Sequence, residues 1–239
     1  MIKPIACCVL TALFFFSAQC QSVTDTSFVR IAAKNTAKIY EDFISVHSGL
    51  INGSEYVEPP YNDEQFPFYQ ALDWLPGEVI YNNEYYSGVS MMYDLSSDNI
   101  IAENPNNGQE IQLVKARVSS FTLNGDQFVN IRSQQLAGLP QEGFYHVLYD
   151  ARSVVLVKYV KPFEEKIEDR RLVFYYKERK RIYLRTGDSY VRVSRKSDLL
   201  KQFGENKDEV RSYMRKNKIR VSRHDPSSFA ALAAYYDTL

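Results

Sequence analysis

From residue 50 onwards, apolar and polar residues alternate with a period of two, in short runs separated by turn residues. Such alternation is typical of β-strands with one buried face. Residues 78–94 predict a hairpin that turns at Asn82 and Asn83, because asparagine tolerates the positive φ of a type I′ turn. Similar turn signatures recur at residues 51–56 and 123–128, and in weaker form at 149–154. Their unequal spacing argues against a regular repeat.

Further short strands follow at close intervals, with predicted bounds of 99–103, 110–114, 118–123, 127–132, 143–149 and 153–160. Residues 172–184 predict two more strands around a charged turn, and residues 190–193 predict a last one. Closely spaced strands with short turns favour a meander of antiparallel hairpins.

The last forty residues change to a helical pattern. Ser197 can cap a short helix over residues 198–203 that Gly204 stops, and a second helix begins at Asn206 or Lys207. A third follows Asp225 and Pro226, with its apolar residues on one face: Phe229, Leu232, Ala233 and Tyr236. Helices with an apolar stripe dock onto another element, and the nearest one is the preceding sheet.

These patterns predict a mainly β (α+β) fold. The expected architecture is a curved antiparallel β-meander sheet or partial barrel, with two or three short C-terminal helices packed on it. The β domain is predicted over residues 48–195 and the helical segment over residues 196–239, after a partly helical lead-in over residues 21–47.

The first twenty residues predict a secretory signal peptide. Lys3 is followed by a run without charges from Pro4 to Ala18, which is too short to cross a bilayer as a helix, since that takes about 20 residues. Two processing routes stay open: simple cleavage before Gln21, or acylation of Cys20 as a lipoprotein. Either route predicts an exported protein, periplasmic or associated with the outer membrane, without a transmembrane span in the mature chain.

All three cysteines lie within the predicted signal, at positions 7, 8 and 20. The mature chain therefore has no disulfide and no cysteine metal site, and we predict no cofactor. Its size and its 45% hydrophobic content are sufficient for a packed core.

Charge is divided unevenly along the chain, although the total is zero. Residues 21–150 hold 6 Lys/Arg against 17 Asp/Glu, a net charge of −11, whereas residues 151–239 hold 22 against 12, a net charge of +10. Either the two halves complement each other within one molecule, or the basic half binds an anionic partner. Export argues against nucleic acid as that partner.

The sequence predicts no enzyme. The histidines at positions 47, 146 and 224 are far apart and have no paired metal-ligand spacing, and neither a Gly-x-Ser-x-Gly elbow nor a phosphate-binding glycine loop occurs. His146 is expected to be a structural strand histidine. The alternative is an envelope glycan hydrolase whose dispersed Asp and Glu residues converge in the fold.

Two groups of residues are candidates for binding. An aromatic platform for a sugar or lipid is predicted from Trp74, Tyr81, Tyr85 and Tyr86. A surface for an anionic partner is predicted from Lys177, Arg179, Lys180, Arg181 and Arg185. The competing interpretations are a core edge for the aromatic group and a solvated hairpin tip and strand face for the basic group.

Several short motifs occur together at residues 49–56, 66–68, 77–81, 92–95, 143–150 and 234–237. With them the chain resembles a family of uncharacterised exported proteins of the Bacteroidetes type, over most of the sequence after the signal. The end of the signal, residues 17–21, is similar to exported proteins of that group. The resemblance implies an envelope protein and carries over no catalytic residue.

Together, these features predict a non-catalytic envelope protein that binds an apolar ligand such as a lipid, or another protein. A cavity between sheet and helices would suit the lipid. A structural interaction protein of an envelope assembly is a further alternative.

Overall fold

The structure, a computed structural model, describes residues 49–104 and 107–239. The predicted signal peptide, Cys20, His47 and the lead-in over residues 21–47 lie outside the described residues. The strands are β1 (Ser54–Glu55), β2 (Leu75–Tyr81), β3 (Glu84–Asp94), β4 (Asn99–Glu103), β5 (Glu110–Gln112), β6 (Val118–Leu123), β7 (Asp126–Ile131), β8 (Gly143–Asp150), β9 (Val154–Val160), β10 (Phe163–Glu168), β11 (Arg171–Tyr176), β12 (Arg179–Arg185) and β13 (Val191–Val193). The helices are α1 (Lys196–Gln202), α2 (Lys207–Lys216) and α3 (Ser227–Tyr236).

Eleven of these strands form one antiparallel sheet, in the order β1-β5-β4-β3-β2-β6-β7-β8-β9-β12-β13. Strands β10 and β11 pair only with each other among the described residues and form a separate ribbon. The predicted fold class, a large antiparallel sheet followed by C-terminal helices, is confirmed.

The sheet is strongly curved. Tyr93 of β3 and Phe144 of β8 lie four strands apart, about 19 Å in a flat sheet with strands ~4.8 Å apart. Their ring centroids are nevertheless 5.8 Å apart. Further aromatic rings fill the concave side, and Phe121 and Phe128 stack there at 4.6 Å. The sheet stays open, because its edge strands β1 and β13 do not pair with each other in the described part of the chain.

The helices pack on the sheet next to β8 and β9. Ile182 and Leu184 of β12 share one core with Val210, Phe229 and Leu232 of the helices, and each is at most 1% exposed. Packed side chains thus occupy the space between sheet and helices. No helix within the described residues has the length and apolar character needed to span a membrane.

A carboxylate fastens the end of α3 to the turn between β8 and β9. Asp237 accepts hydrogen bonds from the Ser153 amide at 2.8 Å, from the Ser153 hydroxyl at 2.6 Å and from the Tyr149 hydroxyl at 3.1 Å. The C-terminal helix is therefore held to the sheet by polar contacts as well as by its apolar face.

Two of the predicted turns are confirmed. Asn82 and Asn83 have φ angles of 53° and 66° between β2 and β3, and Asn124 and Gly125 have 50° and 87° between β6 and β7. The hairpin predicted at residues 51–56 is wrong. That segment begins with a 3₁₀ turn, Leu50–Asn52, and its short strand β1 pairs with β5, far along the chain.

The hairpin predicted over residues 172–184 is also wrong. β11 pairs with β10, whereas β12 pairs with β9, so the charged residues Lys177 and Glu178 join two different sheets. The actual turn of the ribbon is at Asp169 and Arg170, with φ angles of 49° and 65°. Asp accepts such angles more readily than most residues, but the turn contains neither Gly nor Asn, so it was not predicted from the sequence.

Candidate functional site

The separate ribbon, residues 163–176, leaves the main sheet between β9 and β12, and we refer to it as the arm. Its two six-residue strands are about 20 Å long at ~3.4 Å per residue. The base is held by Tyr176, whose amide donates to the Gln65 side chain at 3.0 Å and whose hydroxyl donates to the Pro60 carbonyl at 3.2 Å. Within the described residues, the strands of the arm pair only with each other.

One face of the arm is mostly apolar, with Glu165, opposite Phe174, as its charged residue. The pairing places Phe163 opposite Tyr176 and Ile167 opposite Leu172, and opposed residues lie on the same face. Phe163 also stacks on Phe174 with ring centroids 5.7 Å apart. We refer to these five apolar side chains as the apolar face.

The outer half of the apolar face is open to solvent. Ile167 is 78% exposed and Leu172 is 54% exposed. An isolated two-stranded hairpin is at best marginally stable in water, and the arm gains little from burial at this end. Neighbouring exposed apolar side chains make this end of the arm a candidate interaction site.

The opposite face of the arm is polar. The Lys166 ammonium lies 4.8 Å from the ring centroid of Tyr175 and 3.9 Å from a carboxylate oxygen of Glu164. Arg179 approaches Glu164 to 3.7 Å at the base. The outer half of the apolar face, with Ile167 and Leu172, is therefore the exposed apolar part of the arm.

The four predicted aromatic residues do not form one platform. Tyr81 and Tyr86 are buried in the main core, while Tyr85 is 61% exposed on the other side of the sheet. Trp74 packs in a separate cluster around Phe68. Adjacent strand residues point to opposite faces, and this separates Tyr85 from Tyr86.

The predicted basic surface is likewise divided. Arg179, Arg181 and Arg185 alternate on β12 with Lys180, so that Lys180 points to the other face. The Lys180 ammonium lies 5.5 Å from the ring centroid of Tyr159, whereas Arg185 stacks over Tyr190 at 5.4 Å. Lys177 is exposed where the arm joins the sheet.

A polar cluster around His146 lies at one end of the concave side. The imidazole is 7% exposed and stacks on Phe128, with ring centroids 5.0 Å apart. Its Nε2 is 3.5 Å from Oδ1 of Asp126, and its Nδ1 is 3.4 Å from the Tyr159 hydroxyl. The other oxygen of Asp126 accepts a hydrogen bond from Tyr69 at 2.8 Å.

Burial lowers the pKa of His146; the charge of Asp126 opposes this effect and that of Lys180 adds to it. A neutral imidazole beside a carboxylate has the composition of a general base. Both ring nitrogens, however, are directed at protein groups. The cluster therefore holds β7 and β8 to neighbouring elements, as expected for a structural histidine.

A second buried polar cluster is centred on Asp98, in the turn between β3 and β4. The Lys158 ammonium, on a side chain 1% exposed, lies 2.6 Å from Oδ1 of Asp98 and donates to the Phe144 carbonyl at 2.9 Å. Tyr93 donates to the same carboxylate oxygen at 2.5 Å, and Lys115 contacts the other one. Burial lowers the pKa of Lys158, and Asp98 opposes that shift.

Acidic residues also approach one another at the edge of the sheet. Glu103 of β4 and Glu110 of β5 are directly opposite in the ladder. Burial, with the negative charges of Glu58 and Glu103, raises the pKa of Glu110. Within the described ranges, no group of three His, Cys, Asp or Glu residues is arranged to hold a metal ion.

Comparisons with protein-family models, with curated proteins and with solved structures found no match for this chain. Among the described residues, the arm is the candidate site for which exposed apolar side chains are observed. It was not predicted from the sequence, although apolar residues lie on one strand face at 163 and 167, with Glu165 between them, and again at 172, 174 and 176.

Proposed function

We propose that the protein is a non-catalytic interaction protein of the cell envelope, which binds another polypeptide through the apolar face of its arm. The observation that carries this proposal is the exposure of Ile167 and Leu172, which face each other near the tip of a projecting ribbon. Export and envelope location rest on the signal pattern of the first twenty residues.

Charges at the tip favour a protein partner over a lipid. Glu168, Asp169, Arg170 and Arg171 are all exposed at the outermost point of the arm. Insertion into hydrocarbon would have to remove these side chains from water, at a large cost in free energy. A protein surface can cover the apolar face while leaving the tip solvated.

The concave side of the sheet gives a further argument. Its aromatic rings contact one another, and Tyr69 packs edge-on against Phe128 and Tyr159 at centroid distances of 5.2 and 5.1 Å. The helices pack directly on the sheet. These contacts favour the arm over an internal lipid cavity as the binding site.

Site-specific photo-crosslinking in intact cells tests the proposal. A photoreactive residue at position 167 is expected to give a discrete polypeptide adduct, identified by mass spectrometry, that disappears when Leu172→Glu is added. Position 85, which is 61% exposed on the main sheet, is the matched control site. Lipid adducts alone, or the same adducts at both positions, would contradict the proposal.

The hydrolase alternative retains one specific observation, the opposed carboxylates of Glu103 and Glu110. A carboxyl group with a raised pKa beside an ionised one is the arrangement of a glycosidase acid and its partner. Incubation of the purified protein with envelope glycans tests it. Release of reducing ends that is lost in Glu110→Gln would support the alternative, and no release by the wild type would remove it.

A further inference from the structure

The backbone of β11 has a free edge. The Tyr176 amide donates to the Gln65 side chain and therefore points away from β10. Amide and carbonyl groups alternate sides along a strand, so those of Phe174 and Leu172 point outward as well. In the described residues no second strand pairs with β11. Such an edge is a template for another strand.

We propose that the arm binds a second copy of this chain, by antiparallel pairing of β11 with β11 across a twofold axis at Val173. This inference rests on the proposed function. It names the polypeptide and places its contact along the edge of the arm, beside Leu172 and Phe174 of the apolar face. Pairing about Val173 sets Leu172 of each copy opposite Phe174 of the other. These are the two residues whose amides and carbonyls point away from β10, so the register allows four new hydrogen bonds.

The side chains also fit this register. On one face, Leu172 meets Phe174 of the second copy and extends the apolar face across the dimer. On the other face, Val173 meets its own copy, and Arg171 lies opposite Tyr175, whose ring Lys166 of the same arm also approaches. No like charges are opposed, and an interface of this kind is self-complementary, as twofold symmetry requires.

The other edge of the arm does not fit a second copy. On β10, the outward positions are Phe163, Glu165 and Ile167, because Glu165 is opposite Phe174. A twofold axis through the centre of this edge would set Glu165 against Glu165. Like charges directly opposite each other destabilise a pair of strands. The edge of β11 is therefore the one that fits a second copy.

The substitution Val173→Glu separates arm folding from dimer formation. Val173 is opposite Lys166 within the arm, so the new carboxylate forms a favourable cross-strand pair there. Across the twofold axis, the same substitution opposes two negative charges. Val57→Glu, which makes the same change at an 84% exposed position outside the arm, is the matched control.

Sedimentation velocity on the full mature chain, over a range of concentrations, is the test. We expect a concentration-dependent dimer for the wild type and for Val57→Glu. Val173→Glu is expected to raise the dissociation constant about tenfold or more, which corresponds to about 1.4 kcal/mol. Far-UV circular dichroism verifies that each variant keeps its sheet. A wild type that stays monomeric at the highest soluble concentration would overturn the inference, as would a dimer that Val173→Glu leaves unchanged.

A charge exchange provides a second measurement. Lys166→Glu combined with Val173→Lys keeps an opposite-charge pair within the arm and places a positive charge at the axis. This variant and Val173→Glu are each expected to be monomeric alone and to form a heterodimer when mixed. Failure to associate on mixing would count against the register. The two proposals can fail separately. If the chain is monomeric but position 167 crosslinks to a different protein, only self-pairing is overturned. If no polypeptide adduct forms at all, the proposed function is overturned.

Discussion

Replacing Asp98 by asparagine leaves the Lys158 ammonium buried without its counter-charge. The lysine side chain is 1% exposed, and its Nζ lies 2.6 Å from Oδ1 of Asp98. Breaking a buried ion pair by removing one partner costs about 3–5 kcal/mol. Because the Asp98 side chain is 18% exposed, we expect the lower end, about 3 kcal/mol of unfolding free energy.

The reverse substitution, Lys158→Met, is expected to cost about 1 kcal/mol, because Asp98 keeps its contacts with Lys115 and Tyr93. Urea unfolding followed by circular dichroism measures both variants. The expected difference between them is about 2 kcal/mol. Equal losses, or a larger loss for Lys158→Met, would refute the assignment of Asp98 as the counter-charge of a buried lysine.

The pH dependence of Asp98→Asn provides an internal check. Burial already lowers the pKa of Lys158, and removal of Asp98 takes away the charge that opposes this shift. In the unfolded chain the pKa of Lys158 is about 10.4, and in the folded chain it is lower. Between these two pKa values, the unfolded chain binds more protons than the folded one. The stability of Asp98→Asn should therefore rise with pH in that window. Lys158→Met should show no such gain.

Three further predictions concern the other polar contacts. Burial lowers the pKa of His146, so below about pH 6.5 the imidazole takes up a proton in the unfolded chain more readily than in the folded one. The stability of the wild type should therefore fall between about pH 7.5 and 5 more steeply than that of His146→Phe. Asp237→Ala should cost about 2 kcal/mol in urea unfolding, since the buried Ser153 loses a charged acceptor. Glu110→Gln should add about 0.5 kcal/mol at pH 7 by relieving repulsion from Glu103, and equal stabilities for wild type and variant would contradict it.

Local turn chemistry could be predicted from the sequence. Asn82, Asn83, Asn124 and Gly125 adopt positive φ, which few other residues accept, so these hairpins are encoded by the residues themselves. Gly204 ends the first helix for the same reason. The alternation of apolar and polar residues was sufficient for the strands and therefore for the fold class.

Long-range pairing could not be predicted, because it depends on how distant strands meet. Strand β2 pairs with β6 across about forty residues, and Asp98 meets Lys158 sixty residues further along the chain. Loop closure over such separations leaves no local pattern in the sequence. The same limit explains why His146 and Asp126 were not linked: only the pairing of β7 with β8 brings them together.

The arm was missed for a different reason. Lys177 and Glu178 resemble a charged turn, yet the chain runs there from one sheet into another. The true tip, at Asp169 and Arg170, lacks the Gly or Asn that marks most tight hairpin turns. Glu165 also interrupts the apolar alternation of residues 163–168, which weakened the strand signal there.

Hydrogen exchange at the amides of Leu172 and Phe174 tests the central claim most directly. In the protein isolated from the envelope with its bound partner, these two amides are expected to exchange at least about tenfold more slowly than in dilute, dissociated chain. The Tyr176 amide, already bonded to Gln65, serves as the internal reference. Equal exchange rates in the bound and dissociated states would contradict the claim that a polypeptide adds to this edge of the arm.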